Sequence, residues 1–553
     1  MMDRSLFIAG AAGEGIQTIG DIVARAFLHH GYPVFATSEF ESRIRGGNSS
    51  ARLRITEKPL NAPRSDADVL LAMNPGALKH YAAALGSDGL LIASEPSSTA
   101  GLDIPFADLA IEHAGDKISA NAVAAGAIAA AMGLPVDRLS EVLVATFAKR
   151  GEEVVRSNVA AAQAGYSAAR MQLESRLPEE IPERSAQHVF ASAHDVIPIA
   201  AAAAGCRFIS AYPMSPSTGI ITSFARHVDL GVFTEQTEDE LAAINMAIGA
   251  SSAGARAMTA TSGGGFALMT EALSLAGMIE TPIVILVAQR PGPATGLPTR
   301  TAQEDLLFTI RGGHGEFPRL VLAPADPQDA VDKTIRAFEF ADRFQIPVIL
   351  LTDQYLADSF FSLPRLEIPK DAYQPYLADP TSIEDYERYA LTEDGISPRL
   401  VYGQGEHPIS LDSDEHTESG HITEDLETTR PAMVAKRLRK IESLRAAVQP
   451  PISDRIEDAE IVLVGWGSTK HAINEAAVLL RERGRGIGTI HFTEVWPLPT
   501  LDIPVGPKVW VVESNATGQF AGLLEQSGVP VSGRIGRSDG RPIDASFLLE
   551  ALS

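Results

Sequence analysis

The stretch AMTATSGGGFALM sets Thr261, Ser262, Gly263, Gly264 and Gly265 between an apolar run and a second, helix-forming apolar run. Three glycines between a strand and a helix let the backbone come close to a ligand, and amides at a helix N-terminus favour an anion such as phosphate. No lysine follows, so this is not a G-x-x-x-x-G-K-[ST] loop. Upstream, TEDELAA supplies Glu238, Asp239 and Glu240, with Glu235 just before them. An acidic first turn is favoured by the helix dipole and accounts for three of these. Glu240, directly against Leu241 and Ala242, is the one placed to point inward, where burial tunes a carboxyl's proton affinity. QRPGPATGLPTRT leaves a core-like run at Arg290 and passes through Pro and Gly to Thr299. Arg290 and Thr299 on a stiff loop could clamp a carboxylate, the arginine by two parallel hydrogen bonds; an ordinary surface arginine near a turn reads equally well. In YPMSPST, Ser215 offers a hydroxyl at a helix start, which suits a carboxylate, while N-capping by Ser215 with Pro216 at N1 explains the same residues without a ligand.

These residues need elements to hold them. SLFIAG, the loop AAGEG, the helix pattern IQTIGDIVARAFLHHG and PVFATSEF read as strand, loop, helix and strand, with Ile16, Ile19, Ile22, Val23 and Phe27 at helical spacing and Gly31 as the terminating glycine. The glycines Gly10, Gly13 and Gly15 fall as G-x-x-G-x-G, a weak match to a dinucleotide fingerprint. MQLESRLPEEIPERSAQ reads as a linker. From RFISAYP to PVILLTD strands and helices alternate, which implies a doubly wound parallel sheet covered on both faces. EIVLVGWGS, TKHAINEAAVLLRERG, IGTIHFTEVWPLP and KVWVVES form a third, smaller α/β pattern. Between these lies an acidic, polar block containing SLDSDEHTESGHITEDLETT, read as a solvated linker or arm; His416 and His421 within it match no standard metal spacing.

Length is sufficient for three or four domains in 553 residues. A net charge of −24 argues against nucleic acid, whose phosphates need basic patches. One cysteine, Cys206, excludes a disulfide framework and any all-cysteine zinc or iron–sulfur site built from this chain alone. No apolar run reaches the roughly 18–20 residues of a membrane span, and the start lacks the pattern of a secretory signal, so a cytoplasmic protein is expected.

Taken together, the motifs resemble the α subunit of two-subunit 2-oxoacid:ferredoxin oxidoreductases in the form with the γ domain fused at the N-terminus, the 2-oxoglutarate branch most closely. GEGIQTIGDIVARAFLHHGYPVFATSEFESRIRGGNSSARLRI, with Arg43, Arg45, Gly46 and Gly47 as R-x-R-G-G, is similar to the γ domain. YPMSPST, EDELAAINMAIGASSAGARAMTATSGGGFALMTEAL and QRPGPATGLPTRTAQEDLLF are similar to its pyrimidine-type domain, and LVGWGSTKHAINEA to a transketolase C-terminal domain. The resemblance implies a γ domain at 1–175, a linker at 176–188, a thiamine diphosphate pyrimidine domain at 189–365, an acidic arm at 366–430 and a transketolase C-terminal-like domain at 431–553. It implies thiamine diphosphate shared with a β subunit that carries the diphosphate, Mg²⁺ and a [4Fe-4S] cluster, and no metal on this chain. That β subunit's G-D-G motif and cluster cysteines are missing from this sequence. It further implies CoA as co-substrate, ferredoxin as electron acceptor and an (αβ)₂ heterotetramer. Glu240 would hydrogen-bond the pyrimidine nitrogen and favour the imino tautomer; Tyr212, Pro213, Ser262 and Gly263 would line the cofactor; Ser215, Arg290 and Thr299 would hold substrate carboxylates. The expected reaction is oxidative decarboxylation of 2-oxoglutarate to succinyl-CoA, or its reversal in CO₂ fixation. Ser215 stands where most members have Thr, Met214 also departs, and RPG replaces the commoner RGG, so pyruvate or a branched-chain oxoacid stays open. A stand-alone NAD-dependent dehydrogenase and a non-catalytic docking subunit are the readings from other classes.

Overall fold

The computed structural model describes residues 2–41, 47–94 and 101–553. The chain falls into two compact units, Met1–Ala191 with Ser359–Leu366 and Asp544–Ser553, and Ser192–Asp358 with Glu367–Ile543. In the first, the helix Ile16–His29 buries Ile16, Ile19, Ile22, Val23 and Phe27, the stripe its spacing predicts. It covers a six-stranded sheet ordered Val34–Phe40, Asn48–Thr56, Asp3–Ala11, Ala67–Ala72, Leu85–Ala93 and Gly101–Asp103. The sheet is mixed: Asp3–Ala11 runs parallel to Ala67–Ala72 but antiparallel to Asn48–Thr56, a strand the alternating βα pattern did not anticipate. Arg43, Arg45 and Gly46 of R-x-R-G-G lie outside the described residues.

The stretch read as a linker is pinned to this unit. Ile181 N donates to Gly133 O at 2.9 Å, Arg184 N to His30 O at 3.1 Å, and Tyr32 OH to Pro182 O at 3.0 Å. It crosses two helix ends at Gly31 and Gly133, where an added Cβ would sit 2.2 Å from Arg184 O and 2.4 Å from Glu179 O. Both glycines also have positive φ, so conformation and space demand the same residue.

The second unit holds a seven-stranded sheet ordered Glu494–Trp496, Leu320–Leu322, Pro347–Asp353, Ile283–Gln289, Arg256–Thr261, Cys206–Ala211 and Phe233–Gln236. Every pairing is parallel except that of the edge strand Glu494–Trp496. Continuous apolar strands such as Ile283–Gln289, buried at every position, fit a sheet covered on both faces. A five-stranded sheet follows, ordered Ile452–Asp454, Ile487–Phe492, Ile461–Trp466, Lys508–Glu513 and Val531–Gly536. IGTIHFTEVWPLP, expected as one strand, therefore splits between the two sheets, and Ile490 and Phe492 share a single core with Ile285 and Leu351.

The acidic block keeps an exposed acidic face but is anchored at a few buried residues. Arg388 and Tyr389 are buried, His416 packs on Tyr389 with ring centroids 3.9 Å apart, and Lys436 Nζ of the helix Thr429–Ala447 bonds Glu280 Oε1 at 2.7 Å. Burial alone would raise the Glu280 carboxyl, but Lys440, Lys436 and Arg388 hold it well below the usual carboxylate range. Among the described residues no helix is long and apolar enough to cross a membrane.

The helices Ala120–Met132 and Glu152–Leu173 pack backbone to backbone through glycine: a Cβ on Gly165 would lie 2.0 Å from Val123 O, and one on Gly126 2.0 Å from Ala162 O. Gly165→Ala therefore lowers the unfolding free energy by about 1–3 kcal/mol, measured as a drop in the denaturant midpoint. An unchanged midpoint contradicts this packing.

Candidate active site

Ligands of open α/β sheets bind beyond the C-terminal ends of the strands. At that edge of the seven-stranded sheet, Arg256–Thr261 ends in Ser262, Ile283–Gln289 in Arg290 and Pro347–Asp353 in Gln354. Beside them begins the helix Glu240–Ser252, capped by Asp239, whose carboxylate accepts from Ala242 N at 2.8 Å. Glu240 is its first residue, 3% exposed, and among the described residues the buried Oε1 of its carboxyl has no hydrogen-bond partner. This carboxyl lies against the glycine loop: a Cβ on Gly265 would come within 2.7 Å of Glu240 Oε1 and 2.0 Å of Thr261 Oγ1.

A second acid lies on the other side of the loop. A Cβ on Gly263 would meet Asp305 Oδ2 at 2.3 Å. Asp305 is placed by the buried Gln289, whose Oε1 accepts from Asp305 N at 3.0 Å and whose Nε2 donates to Thr352 O at 3.3 Å. Burial, reinforced by Glu304 and opposed by Arg290, pushes the Asp305 carboxyl up to about 6. Two of the three glycines thus make room for carboxyl groups, and acids on both sides oppose a phosphate there. Ser262 leaves the helix Gly263–Met278 without a side-chain cap, and its buried Oγ has no partner among the described residues.

Sequence reasoning missed Asp305. EDLLF carries no local signal for such a role, and only the turn that carries Asp305 back over Gly263 gives it one.

The substrate candidates come together in part. Arg290 Nη1 donates to Ser215 O at 2.6 Å, joining the two loops. Among the described residues Arg290 makes its hydrogen bond through Nη1, and the Nε–Nη2 edge of the guanidinium suits a carboxylate. Burial lowers the Arg290 proton affinity and Asp305 opposes it. Thr299 is half-buried further along the same loop. The loop turns back on itself at Gly296, where Leu297 N donates to Pro291 O at 3.0 Å and a Cβ on Gly296 would sit 1.8 Å from that oxygen.

The capping expectation for Ser215 is corrected. The helix runs Thr218–Arg226 with Ser217 at its N-cap, Ser217 Oγ donates to Met214 O at 2.7 Å, and Ser215 is exposed in the preceding turn. Tyr212, 38% exposed, and Pro213 follow the strand Cys206–Ala211 on the same edge.

In the first unit, the loop with Gly13 and Gly15 carries its own anion. Glu14 Oε2 accepts from Ala11 N at 2.7 Å and from Asn74 Nδ2 at 2.6 Å, which spends donors a dinucleotide phosphate would need. Among the described residues no group of three His, Cys, Asp or Glu could hold a metal ion.

Residues 199–436 match the thiamine diphosphate-binding model of the pyruvate flavodoxin/ferredoxin oxidoreductases, and residues 5–168 match the pyruvate ferredoxin/flavodoxin oxidoreductase model. The chain is 31% identical to subunit alpha of 2-oxoacid:ferredoxin oxidoreductase 2 of Aeropyrum pernix, over 98% of this chain and 96% of that one. It is 29% identical to 2-oxoglutarate oxidoreductase subunit KorA of Mycobacterium tuberculosis, over 93% and 86%. The solved 2-oxoglutarate:ferredoxin oxidoreductase of Magnetococcus marinus, with 2-oxoglutarate, coenzyme A and succinyl-CoA bound, superposes with a TM-score of 0.92 at 30% identity, covering 100% of this chain and 99% of that one.

The Asp305 carboxyl gives a pH signature. Its proton is held more tightly in the folded chain, up to about 6, than in the unfolded one near 3.9, so its contribution to stability is lost as pH rises through that interval. Asp305→Asn removes this loss. The variant should exceed the wild type in denaturant midpoint by a margin that grows from pH 4.5 to 7; a margin independent of pH refutes the assignment.

Proposed function

The chain belongs to the 2-oxoacid:ferredoxin oxidoreductases as an alpha subunit, and from that premise we propose that it contributes one wall of a thiamine diphosphate site that decarboxylates 2-oxoglutarate to succinyl-CoA, with electrons passed to ferredoxin. The observation that carries this reading is the buried, unpartnered oxygen of Glu240 beside a glycine loop. An orphaned buried carboxyl oxygen costs about 1–3 kcal/mol, and a pyrimidine nitrogen is the partner that would satisfy it. Ser262 Oγ, buried and also unpartnered, and the uncapped amides that begin at Gly263 fit a polar heterocycle along the same loop, with Tyr212 and Pro213 at its exposed edge.

The chemistry thiamine diphosphate supplies when bound is an electron sink for loss of CO₂ from a 2-oxoacid. Glu240, buried at the start of its helix, would share a proton between its carboxyl and the ring nitrogen. Arg290 and Ser215, with Thr299 on the same loop, grip a substrate carboxylate, and Asp305 sets the charge on the opposite side of the glycines. As the family resemblance implies, the diphosphate, Mg²⁺ and [4Fe-4S] cluster are assigned to a β subunit, with ferredoxin as acceptor and an (αβ)₂ assembly; the acid-flanked loop, which offers no phosphate grip, and the single cysteine, Cys206, support that division. The bound ligands of the Magnetococcus marinus enzyme and the KorA relatives support 2-oxoglutarate over pyruvate or a branched-chain acid. The chain acts in the cytoplasm. Its parts are the γ domain at 1–175, the linker at 176–188, the pyrimidine domain at 189–365, the arm at 366–430 and the transketolase-like domain at 431–553.

The test is turnover by the enzyme reconstituted with its β subunit on 2-oxoglutarate, pyruvate and 2-oxoisovalerate. Glu240→Gln lowers kcat on the preferred acid by about 100-fold or more, equivalent to ~2.7 kcal/mol of barrier; a change within a few fold leaves only a docking role. Arg290→Lys loses the paired hydrogen bonds and raises KM for the oxoacid about tenfold, and an unchanged KM removes Arg290 from the grip.

A further inference from the structure

The loop that presents Ser215 is held from behind by a histidine that no part of the proposed reaction uses. His194, second residue of the helix Ala193–Ala203, has Nε2 3.0 Å from Pro216 O and Nδ1 3.3 Å from Asp358 Oδ1. Its ring lies flush against Gly219 in the first turn of the helix Thr218–Arg226, where an added Cβ would fall 2.4 Å from the ring. Asp358 is fixed in turn by Gln354 Nε2, which donates to its other oxygen at 2.8 Å.

Both atoms facing the ring are oxygen acceptors. A neutral imidazole has one N–H and can satisfy only one of them. The pair is satisfied when His194 is an imidazolium against the Asp358 carboxylate, or when a neutral His194 faces a protonated Asp358. Burial pushes the Asp358 carboxyl up, and His194 and then Gln354 oppose that rise. In either form one N–H must reach the Pro216 carbonyl. On the opposite side, Arg290 Nη1 holds the Ser215 carbonyl, so two successive carbonyls of the loop are tied to two different cationic or N–H donors.

We infer that His194, working through Asp358, is a positioning residue for oxoacid binding: it fixes the Pro216 carbonyl so that the Ser215 hydroxyl and the open edge of Arg290 are presented to one substrate carboxylate. This rests on the reading of Ser215 and Arg290 as the substrate grip. His194 touches neither substrate nor cofactor, and its effect is on affinity rather than on chemistry. Asp358 matters only as the group that keeps a hydrogen on the ring nitrogen facing the loop.

The experiment uses the reconstituted α–β enzyme and its preferred 2-oxoacid. His194→Leu fills the ring's space without a donor. It raises KM for the oxoacid by about tenfold or more, with kcat within threefold, thiamine diphosphate affinity unchanged and the thermal midpoint kept. Gly219→Ala pushes the intact ring off the carbonyl and raises KM in the same way, but adds less than twofold when His194→Leu is already present. Asp358→Asn lets the amide donate to Nδ1, keeps Nε2–H on Pro216 O, and leaves KM within threefold of wild type. The inference is overturned if His194→Leu leaves KM within twofold, if kcat falls while KM holds, or if Asp358→Asn matches His194→Leu. Failure of the wild type to turn over any 2-oxoacid is a separate result and counts against the substrate grip itself.

Discussion

A carboxyl oxygen buried without a partner is the constraint around which the second unit is organised. Glu240 is carried inward as the first residue of a helix whose cap, Asp239, is satisfied by Ala242 N, so the helix start is stable without spending the Glu240 side chain. Gly265 gives that carboxyl room; any side chain there would occupy the space of Oε1. Thr259 Oγ1 and Ser262 Oγ are buried and unpartnered on the strand and loop beside it. A protein interior tolerates such groups where a ligand completes them, because each left unmade costs free energy comparable to a hydrogen bond.

Burial of charge is common in this chain and is not by itself a mark of function. Glu280 is ringed by Lys436, Lys440 and Arg388. Glu494 takes Lys333 at 3.1 Å and Arg336 at 2.6 Å, fastening the antiparallel edge strand to the helix Pro327–Phe344. Glu513 accepts from Phe520 N and Ala521 N at the start of the helix Gln519–Gln526. Glu280 and Glu494 are paired with cations and Glu513 is held by amide donors, and removing such partners leaves an uncompensated charge, so these acids are structural. Glu240 differs in lacking a partner, and Asp305 in lying against a glycine with its proton affinity raised.

The glycine loop and the arginine loop serve one geometry. Parallel strands deliver Ser262 and Arg290 to the same edge, and Gln289 at the end of the central strand sets the turn that returns Asp305 over Gly263. The Ser215 loop is then tied to Arg290 through its own carbonyl. Because Nη1 makes that bond, the edge left for a carboxylate in the proposed substrate grip is the Nε–Nη2 side of the guanidinium.

Sequence alone determined what is local or periodic. The buried stripe of Ile16–His29, the alternation of strands and helices, and the placement of Arg290 and the glycines after strands all follow from side-chain period and backbone sterics, which neighbours along the chain decide. The inward turn of Glu240 was legible from the apolar residues that follow it. Long-range packing decided the rest. An antiparallel strand, Asn48–Thr56, entered the first sheet; a stretch read as a linker was bound to the helix ends at Gly31 and Gly133; and an acidic block was anchored through the buried Arg388, which donates to Gln345 Oε1 and to the Glu280 carbonyl far away in sequence. Asp305 and His194 carried no local signal, since a carboxyl acquires its role from the glycine it faces and an imidazole from the two oxygens that bracket it. Those distances are set by tertiary closure, where hydrogen bonds and electrostatics act through space and not along the chain.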